Sequence, residues 1–320
     1  MRILFITSTR IGDAVLSTSV LGHLIDRYPE ARVTVVCGPV PASLFAAVPN
    51  LERLIVLEKR RFGWHWLSLW GHCAGVVWDL IVDLRASAAA WVLPARRRYV
   101  MGQRQPDCHR IEELARVIDL WPPPAPRLWI GAEHRAAAAR LIAPGGPVLA
   151  VGPAANWRGK QWRAERFAEL AARLTDPGGI LPRARVAVFA AAAERNQAQP
   201  VIEALPAERR IDLIGAVDLP TAGACFRHCA LFVGNDSGLM HLAAAGGVPT
   251  LGLFGPSYEH RYAPWGERTA YVRTRESCDE LVGAPGFDHR ATDTLMDGLS
   301  VGAAAEAAEA LWRRCHGEAA

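Results

Sequence analysis

The sequence predicts an α/β protein built from two doubly wound parallel sheets, and three observations predict it. Short aliphatic, often β-branched segments alternate with stretches of helical length and period along most of the chain. The alternation breaks once, at Trp121-Pro122-Pro123-Pro124-Ala125-Pro126, a run that can neither continue a helix nor join a central strand. The 320 residues, 51% hydrophobic, are enough for one core on each side of that break. The expected organisation is a first domain over 1–126, a second over 127–300, and a terminal helix within 301–320 that is a candidate for packing back on the first domain.

Taken in order, Arg2–Ile6 is a buried strand, residues 7–12 a loop, and residues 13–28 a helix with Leu16, Val20 and Leu24 on its apolar face. Residues 32–37 form the next strand, with a β-branched V-T-V-V centre. A short helix after Pro41, a strand over 53–57, a helix over 62–77 and strands over 80–84 and 99–102 follow, then a helix over 111–120. Beyond the proline run, a helix over 133–143 leads into strands at 148–151, 185–189, 211–214, 231–233 and 250–253. Helices at 164–174, 195–204 and 219–229 separate them, and 301–315 reads as a last helix. Residues 275–300 are loop-rich and fit no element.

Composition narrows the function. A formal net charge of +4 is too small to imply nucleic acid. Seven scattered cysteines without a C-x-x-C pair suit a reducing compartment. The chain opens on a strand and has no apolar run of about 20 residues, so a cytoplasmic protein without a leader or membrane span is expected. The cations are nearly all arginine, with Lys59 and Lys160 the only lysines.

The most informative stretch is 230–257, A-L-F-V-G-N-D-S-G-L-M-H-L-A-A-A-G-G-V-P-T-L-G-L-F-G-P-S. It reads as strand, turn, helix, strand. Its helix begins at the carboxyl end of a strand, where open α/β sheets bind ligands. The first N–H groups of such a helix lack partners and attract phosphate. Asp236 or Ser237 is placed to cap it, and an ordinary capped helix is the plain alternative. A dinucleotide-binding dehydrogenase does not fit, because the first strand is followed by T-S-T-R-I-G-D and not by G-x-G-x-x-G.

The string D-S-G-x-x-H-L-A-A-A-x-G, followed by a strand and F-G-P, resembles the nucleotide-sugar site of glycosyltransferase family nine, the ADP-heptose:lipopolysaccharide heptosyltransferases. The segment Arg10-Ile11-Gly12-Asp13 resembles that family's I-G-D motif, and Gly159-Lys160-Gln161-Trp162-Arg163 its K-x-W-P motif, with arginine in place of the proline. The resemblance covers nearly the whole chain. It implies the GT-B architecture of two Rossmann-like domains, and inverting transfer of a heptose or related sugar from ADP-heptose to a lipopolysaccharide core or related glycolipid.

Within the resemblance, Asp13 is the general base that takes the acceptor hydroxyl's proton. Capping of its helix is the other reading. Gly12 permits the tight turn after the first strand and is counted with the nucleotide-sugar-binding residues. Lys160 would neutralise the diphosphate leaving group, with Arg158 as a second cation. Asn156, Asp236, Ser237, Gly238, Leu239 and His241 would complete the nucleotide-sugar site, and Val217 would line the base pocket. Glu194 would accept ribose hydroxyls, or else complement a helix dipole. His241 would face the phosphates, or else pack as a neutral core residue.

No D-x-D sequence occurs, so metal-independent transfer without a cofactor is expected, the ADP-sugar being the substrate. Arg60, Arg61, Arg96, Arg97 and Arg98 are candidates for an anionic glycolipid acceptor at the inner membrane face, near Trp64, Trp66, Trp70 and Trp78. A packed, solvated arrangement of the same residues is the alternative. An epimerase of the same architecture and a non-catalytic nucleotide or glycan binder are the competing functions.

Overall fold

The computed structural model describes residues 1–58, 63–283 and 286–317. The chain divides into two compact units, Met1–Gly131 and Ala132–Ala320. The first ends later than residue 126 because the segment after the prolines stays bound to the helix Ile11–Arg27. The Arg127 guanidinium donates to both carboxylate oxygens of Asp26, at 2.8 and 2.7 Å, and its N–H donates to Thr18 Oγ1 at 2.9 Å.

The first unit runs β1 (Arg2–Ile6), α1 (Ile11–Arg27), β2 (Arg32–Cys37), β3 (Leu51–Val56), α2 (Trp64–Cys73), β4 (Trp78–Asp83), α3 (Ala89–Val92), β5 (Ala95–Val100) and α4 (Arg110–Arg116). Its five strands lie in the order β3-β2-β1-β4-β5, and the pairings are parallel. One sheet face buries Leu4, Ile6, Val36 and Ile81 under Leu69 and Cys73 of α2 and Ala89 and Ala90 of α3. Helices α1 and α4 pack on each other. Two differences from expectation matter for function. Helix α1 begins at Ile11, so Gly12 is helical and makes no turn. Strand β5 takes in Arg96-Arg97-Arg98, whose charge concealed a strand because an edge strand has no need of apolar alternation.

The second unit runs α5 (Ala132–Leu141), β6 (Val148–Gly152), α6 (Ala164–Thr175), β7 (Arg185–Val188), α7 (Arg195–Ala204), β8 (Arg210–Asp212), α8 (Leu219–Phe226), β9 (Leu231–Asn235) and α9 (Gly238–Gly246). It ends with β10 (Thr250–Phe254), α10 (Glu259–Tyr262), β11 (Thr269–Arg273), α11 (Cys278–Val282) and α12 (Val301–His316). Its six strands follow the order β11-β10-β9-β6-β7-β8, again in parallel pairs. The terminal helix buries Ala304, Ala305, Ala308 and Leu311 in the core of this same unit. It packs on α6, β10 and β11.

In both sheets the chain winds outward to one side of a central strand and then returns to its other side. The reversal falls between β1 and β4 in the first unit and between β6 and β9 in the second. Such a switch point opens a crevice at the carboxyl ends of the two strands. In the second unit, Gly152 and Gly234 face each other across it. A Cβ on Gly152 would lie 2.8 Å from the Phe232 ring, and one on Gly234 the same distance from Gly152 O, so glycine lets these strand ends approach.

Candidate functional site

The two strands that flank the second switch point deliver the main charged pair. The chain leaving β6 passes Pro153 and forms a short 3-10 turn, Arg158–Lys160. The chain leaving β9 passes Asp236 into α9. Lys160 Nζ donates to Asp236 Oδ2 at 2.5 Å. Their side chains are 23% and 8% exposed, so both are largely withdrawn from water.

Asn235 holds the two segments in register. It is fully buried. Its Nδ2 donates to Pro153 O at 2.7 Å, and its Oδ1 accepts from Trp162 N at 3.1 Å. Both ends of the Lys160 segment are thereby tied to the last residue of β9. Sequence reasoning treated Asn235 as turn chemistry. The missed signal was an amide directly after an apolar strand and directly before the candidate aspartate.

Residues 286–299, which fitted no element in sequence, clamp the same segment from outside. Leu295 N donates to Gly159 O at 3.0 Å, and Thr294 Oγ1 donates to Gln161 O at 2.5 Å. Arg158 Nε reaches Asp293 at 2.6 Å, and Arg163 forms a two-pronged pair with Asp297 at 2.6 Å on each prong. Trp162 Nε1 donates to Leu299 O at 2.9 Å, and Trp157 stacks on His289 with ring centres 4.4 Å apart. The hydrogen bonds from Arg163 hold the Asp297 carboxyl below the usual carboxylate range.

Helix α9 starts without a side-chain cap. Ser237 is its N-cap residue, in extended backbone, but its hydroxyl makes no capping bond. The Ser237 Oγ is buried and has no hydrogen-bond partner, and the same holds for Ser257 Oγ in the loop after β10. The Asp236 N–H donates to Leu253 O at 3.0 Å. Gly238 and Leu239 open the helix, whose first N–H groups have no intrahelical acceptor. The Ser237 hydroxyl, the positive end of α9 and Lys160, the last already paired with Asp236, are the groups here that favour an anion. The expectation that Asp236 or Ser237 caps this helix through its side chain is not met.

The remaining sequence-selected residues fall as follows. His241 is 4% exposed, in the second turn of α9. Asn156 is exposed on the segment that carries Lys160. Val217 is half-buried just before α8, whose N-cap is Asp218, with Oδ1 accepting from Thr221 N at 2.9 Å. Glu194 turns back on its own backbone, accepting from Ala191 N at 3.0 Å, so it is engaged in starting its helix. Among the described residues no group of three or more His, Cys, Asp and Glu is arranged to hold a metal ion. The Cys225 thiol is pushed up to about 11 by burial.

In the first unit, Asp13 stands in the first turn of α1, while Arg10 is the N-cap residue. The capping alternative for Asp13 therefore falls. Its carboxylate accepts from Arg110 Nε at 3.2 Å, and Arg110 Nη1 in turn donates to the buried Glu113 at 2.5 Å. Arg110 and Glu113 were not singled out in sequence. Asp83, at the carboxyl end of β4, is fully buried and accepts from Arg85 N and Ser87 N, both at 2.8 Å. Burial raises its carboxyl above the usual range.

The basic residues separate. Arg98 is structural: its Nε and Nη2 donate to Ala90 O and Leu93 O at 3.1 and 3.0 Å, fixing the end of α3. Arg97 lies over the Tyr99 ring, 4.7 Å from its centre. The Arg96 side chain is 77% exposed, 3.5 Å from Asp79. Arg60 and Arg61 lie outside the described residues.

Two Rossmann-like parallel-sheet units give the chain the GT-B fold of glycosyltransferases. Residues 83–285 match the family model for Glycosyltransferase family 9 (heptosyltransferase), and the chain belongs to that family. It is 25% identical over 317 residues to the Escherichia coli lipopolysaccharide heptosyltransferase 2, covering 85% of this chain and 88% of the relative. In fold it is similar to the family 9 glycosyl transferase of Veillonella parvula, with a TM-score of 0.81, 21% identity and 97% coverage of both chains. It is also similar to the E. coli heptosyltransferase WaaC solved with ADP-2-deoxy-2-fluoro heptose, with a TM-score of 0.67 and 17% identity, over 96% of this chain and 98% of that one.

Proposed function

We propose that this glycosyltransferase moves a heptose from ADP-heptose to a lipopolysaccharide core or related glycolipid, with inversion at the anomeric carbon and without a metal ion. The observation that carries the reading is the Lys160–Asp236 pair beside the uncapped start of α9. The diphosphate sits on the first N–H groups of α9 and the Ser237 hydroxyl, and Lys160 supplies positive charge as the sugar–phosphate bond breaks. A relative named as a lipopolysaccharide heptosyltransferase, and a structural neighbour named as a heptosyltransferase and solved with ADP-2-deoxy-2-fluoro heptose, support the donor and the sugar.

In this reading the acceptor hydroxyl attacks the anomeric carbon from the side opposite the leaving ADP. Asp13 accepts the hydroxyl proton, and ADP departs with the bonding electron pair. Arg110 orients the Asp13 carboxylate and is itself anchored by Glu113. The acceptor is anionic and lipid-borne, with Arg96 and Arg97 among its candidate contacts, and the enzyme works at the inner face of the cytoplasmic membrane.

The test is a transfer assay with ADP-heptose and a heptose-deficient lipopolysaccharide core, with and without saturating EDTA. Transfer is expected to persist in EDTA. Asp13→Asn is expected to lower turnover at least ~100-fold while ADP affinity stays unchanged. Complete loss in EDTA, restored by magnesium or manganese, would overturn metal independence. Wild-type turnover by Asp13→Asn would remove Asp13 from the base role.

A further inference from the structure

We propose that the outer surface formed by α2 and α3 docks on an anionic phospholipid bilayer. Helix α2 buries His65, Leu69 and Cys73, spaced by four, against the first sheet. Its other side carries Trp64, Leu67 and Trp70, at 59%, 59% and 48% exposure. A helix covering a sheet ordinarily turns polar residues outward, so this one is apolar on the wrong side for contact with water alone. Helix α3 repeats the arrangement, burying Ala89 and Ala90 and exposing Trp91 and Val92 at 66% and 62%. The two helices touch and cover the same sheet face, which places five large apolar side chains on one surface.

The chemistry of this surface favours a bilayer over a protein partner. Three of the five side chains are tryptophan, whose amphipathic ring prefers the headgroup region of a membrane. Its surroundings hold two arginines, one of them, Arg96, within 3.5 Å of Asp79. Arg85 lies over the Trp66 ring, 5.2 Å from its centre. Arg96 is two residues from Arg98, which bonds to α3, so it emerges on the same sheet face. The charge of the whole chain is polarised in the same sense. Residues 1–131 hold sixteen Lys and Arg against eleven Asp and Glu, a net of +5, while residues 132–320 net −1. Apolar insertion combined with positive charge is the combination that binds anionic lipid. The inference deepens the reading of a membrane-borne acceptor, and its test does not depend on transfer.

The experiment is co-sedimentation of the full chain with phosphatidylcholine vesicles, with and without phosphatidylglycerol. The wild type is compared with Trp64→Ser/Leu67→Ser/Trp70→Ser and, separately, with Trp91→Ser/Val92→Ser. All five positions are exposed, so both variants are expected to fold, and a far-ultraviolet circular dichroism spectrum and thermal unfolding profile like the wild type's check this. The wild type is expected to bind the anionic vesicles at least ~10-fold better than the neutral ones, with binding weakened by salt. The triple variant is expected to lose ~10-fold or more, and the double variant a smaller factor. Equal vesicle binding by the wild type and the triple variant would overturn the proposal. So would a wild type that ignores vesicles, including one that dimerises through this face and becomes monomeric on triple substitution. Absence of ADP binding in every form would sink the nucleotide reading but leave the vesicle result to be judged alone.

Discussion

Lys160 Nζ and Asp236 Oδ2 meet at 2.5 Å although 76 residues separate them in sequence. The aspartate side chain is the more buried, at 8% exposure against 23%. Removing one partner of such a pair leaves the other charge poorly solvated, which costs more than the pair itself contributes.

Lys160→Ala is therefore expected to lower the melting temperature, and Lys160→Ala/Asp236→Asn to recover much of the loss, because the orphaned charge is then gone. Thermal unfolding of the two single variants and the double variant checks this. Simple additivity would show that the two side chains do not interact in solution.

Asn235 has a different task. Asn235→Ala removes two buried hydrogen bonds and strands Pro153 O and Trp162 N, at a cost of about 2–4 kcal/mol. The Lys160 segment should also loosen, and ADP affinity with it. Urea unfolding and ADP titration of this variant are the measurements. Unchanged values of both would mean the segment is held by the outer clamp alone.

The outer clamp depends on acid. The Asp297 carboxyl is held low by hydrogen bonds from Arg163, so its folded pKa lies below its unfolded value of about 3.9. The stability it contributes is fully present above that unfolded value and is lost as pH falls through the folded one. Asp297→Asn should thus flatten the acid limb of the stability–pH curve below about pH 4, with little effect on the slope at neutral pH. Both partners are nearly half exposed, so the effect is modest and salt-sensitive. Parallel curves for wild type and variant would show that the pair does not form.

Much of this was legible in the sequence. Apolar strands such as 2–6, 148–151 and 250–253 were read at nearly their true bounds, because burial on both sheet faces leaves an uninterrupted hydrophobic signal. The edge strands β3 and β8 were read close to their bounds, while the other two edges, β5 and β11, were not. Residues 95–98 are mostly arginine, and Thr269–Arg273 was passed over, since a strand with one open side is free to carry polar residues. Lys160 and the Asp236–Gly238 turn were singled out from local chemistry, a lysine and a helix start each following a strand end, and the structure brings Lys160 and Asp236 together. Asn235, Arg110 and Asp297 were not, because each acts through partners far along the chain, and nothing local announces a hydrogen bond to residue 153 or an ion pair to residue 13. Asp13 was identified through its motif, but its partner Arg110 emerged only when α1 and α4 packed together.

The central claim is that the start of α9 holds the donor's diphosphate, and calorimetric titration of ADP into wild type and Gly238→Val tests it most directly. Gly238 is the first residue of the helix, where a branched side chain would intrude on a phosphate bound by the N–H groups. Saturable binding of ADP by the wild type is expected, with at least ~10-fold weaker binding by Gly238→Val, equivalent to about 1.4 kcal/mol. The melting temperature of the variant should stay close to that of the wild type. A folded Gly238→Val that binds ADP as tightly as the wild type would place the diphosphate elsewhere and contradict the account.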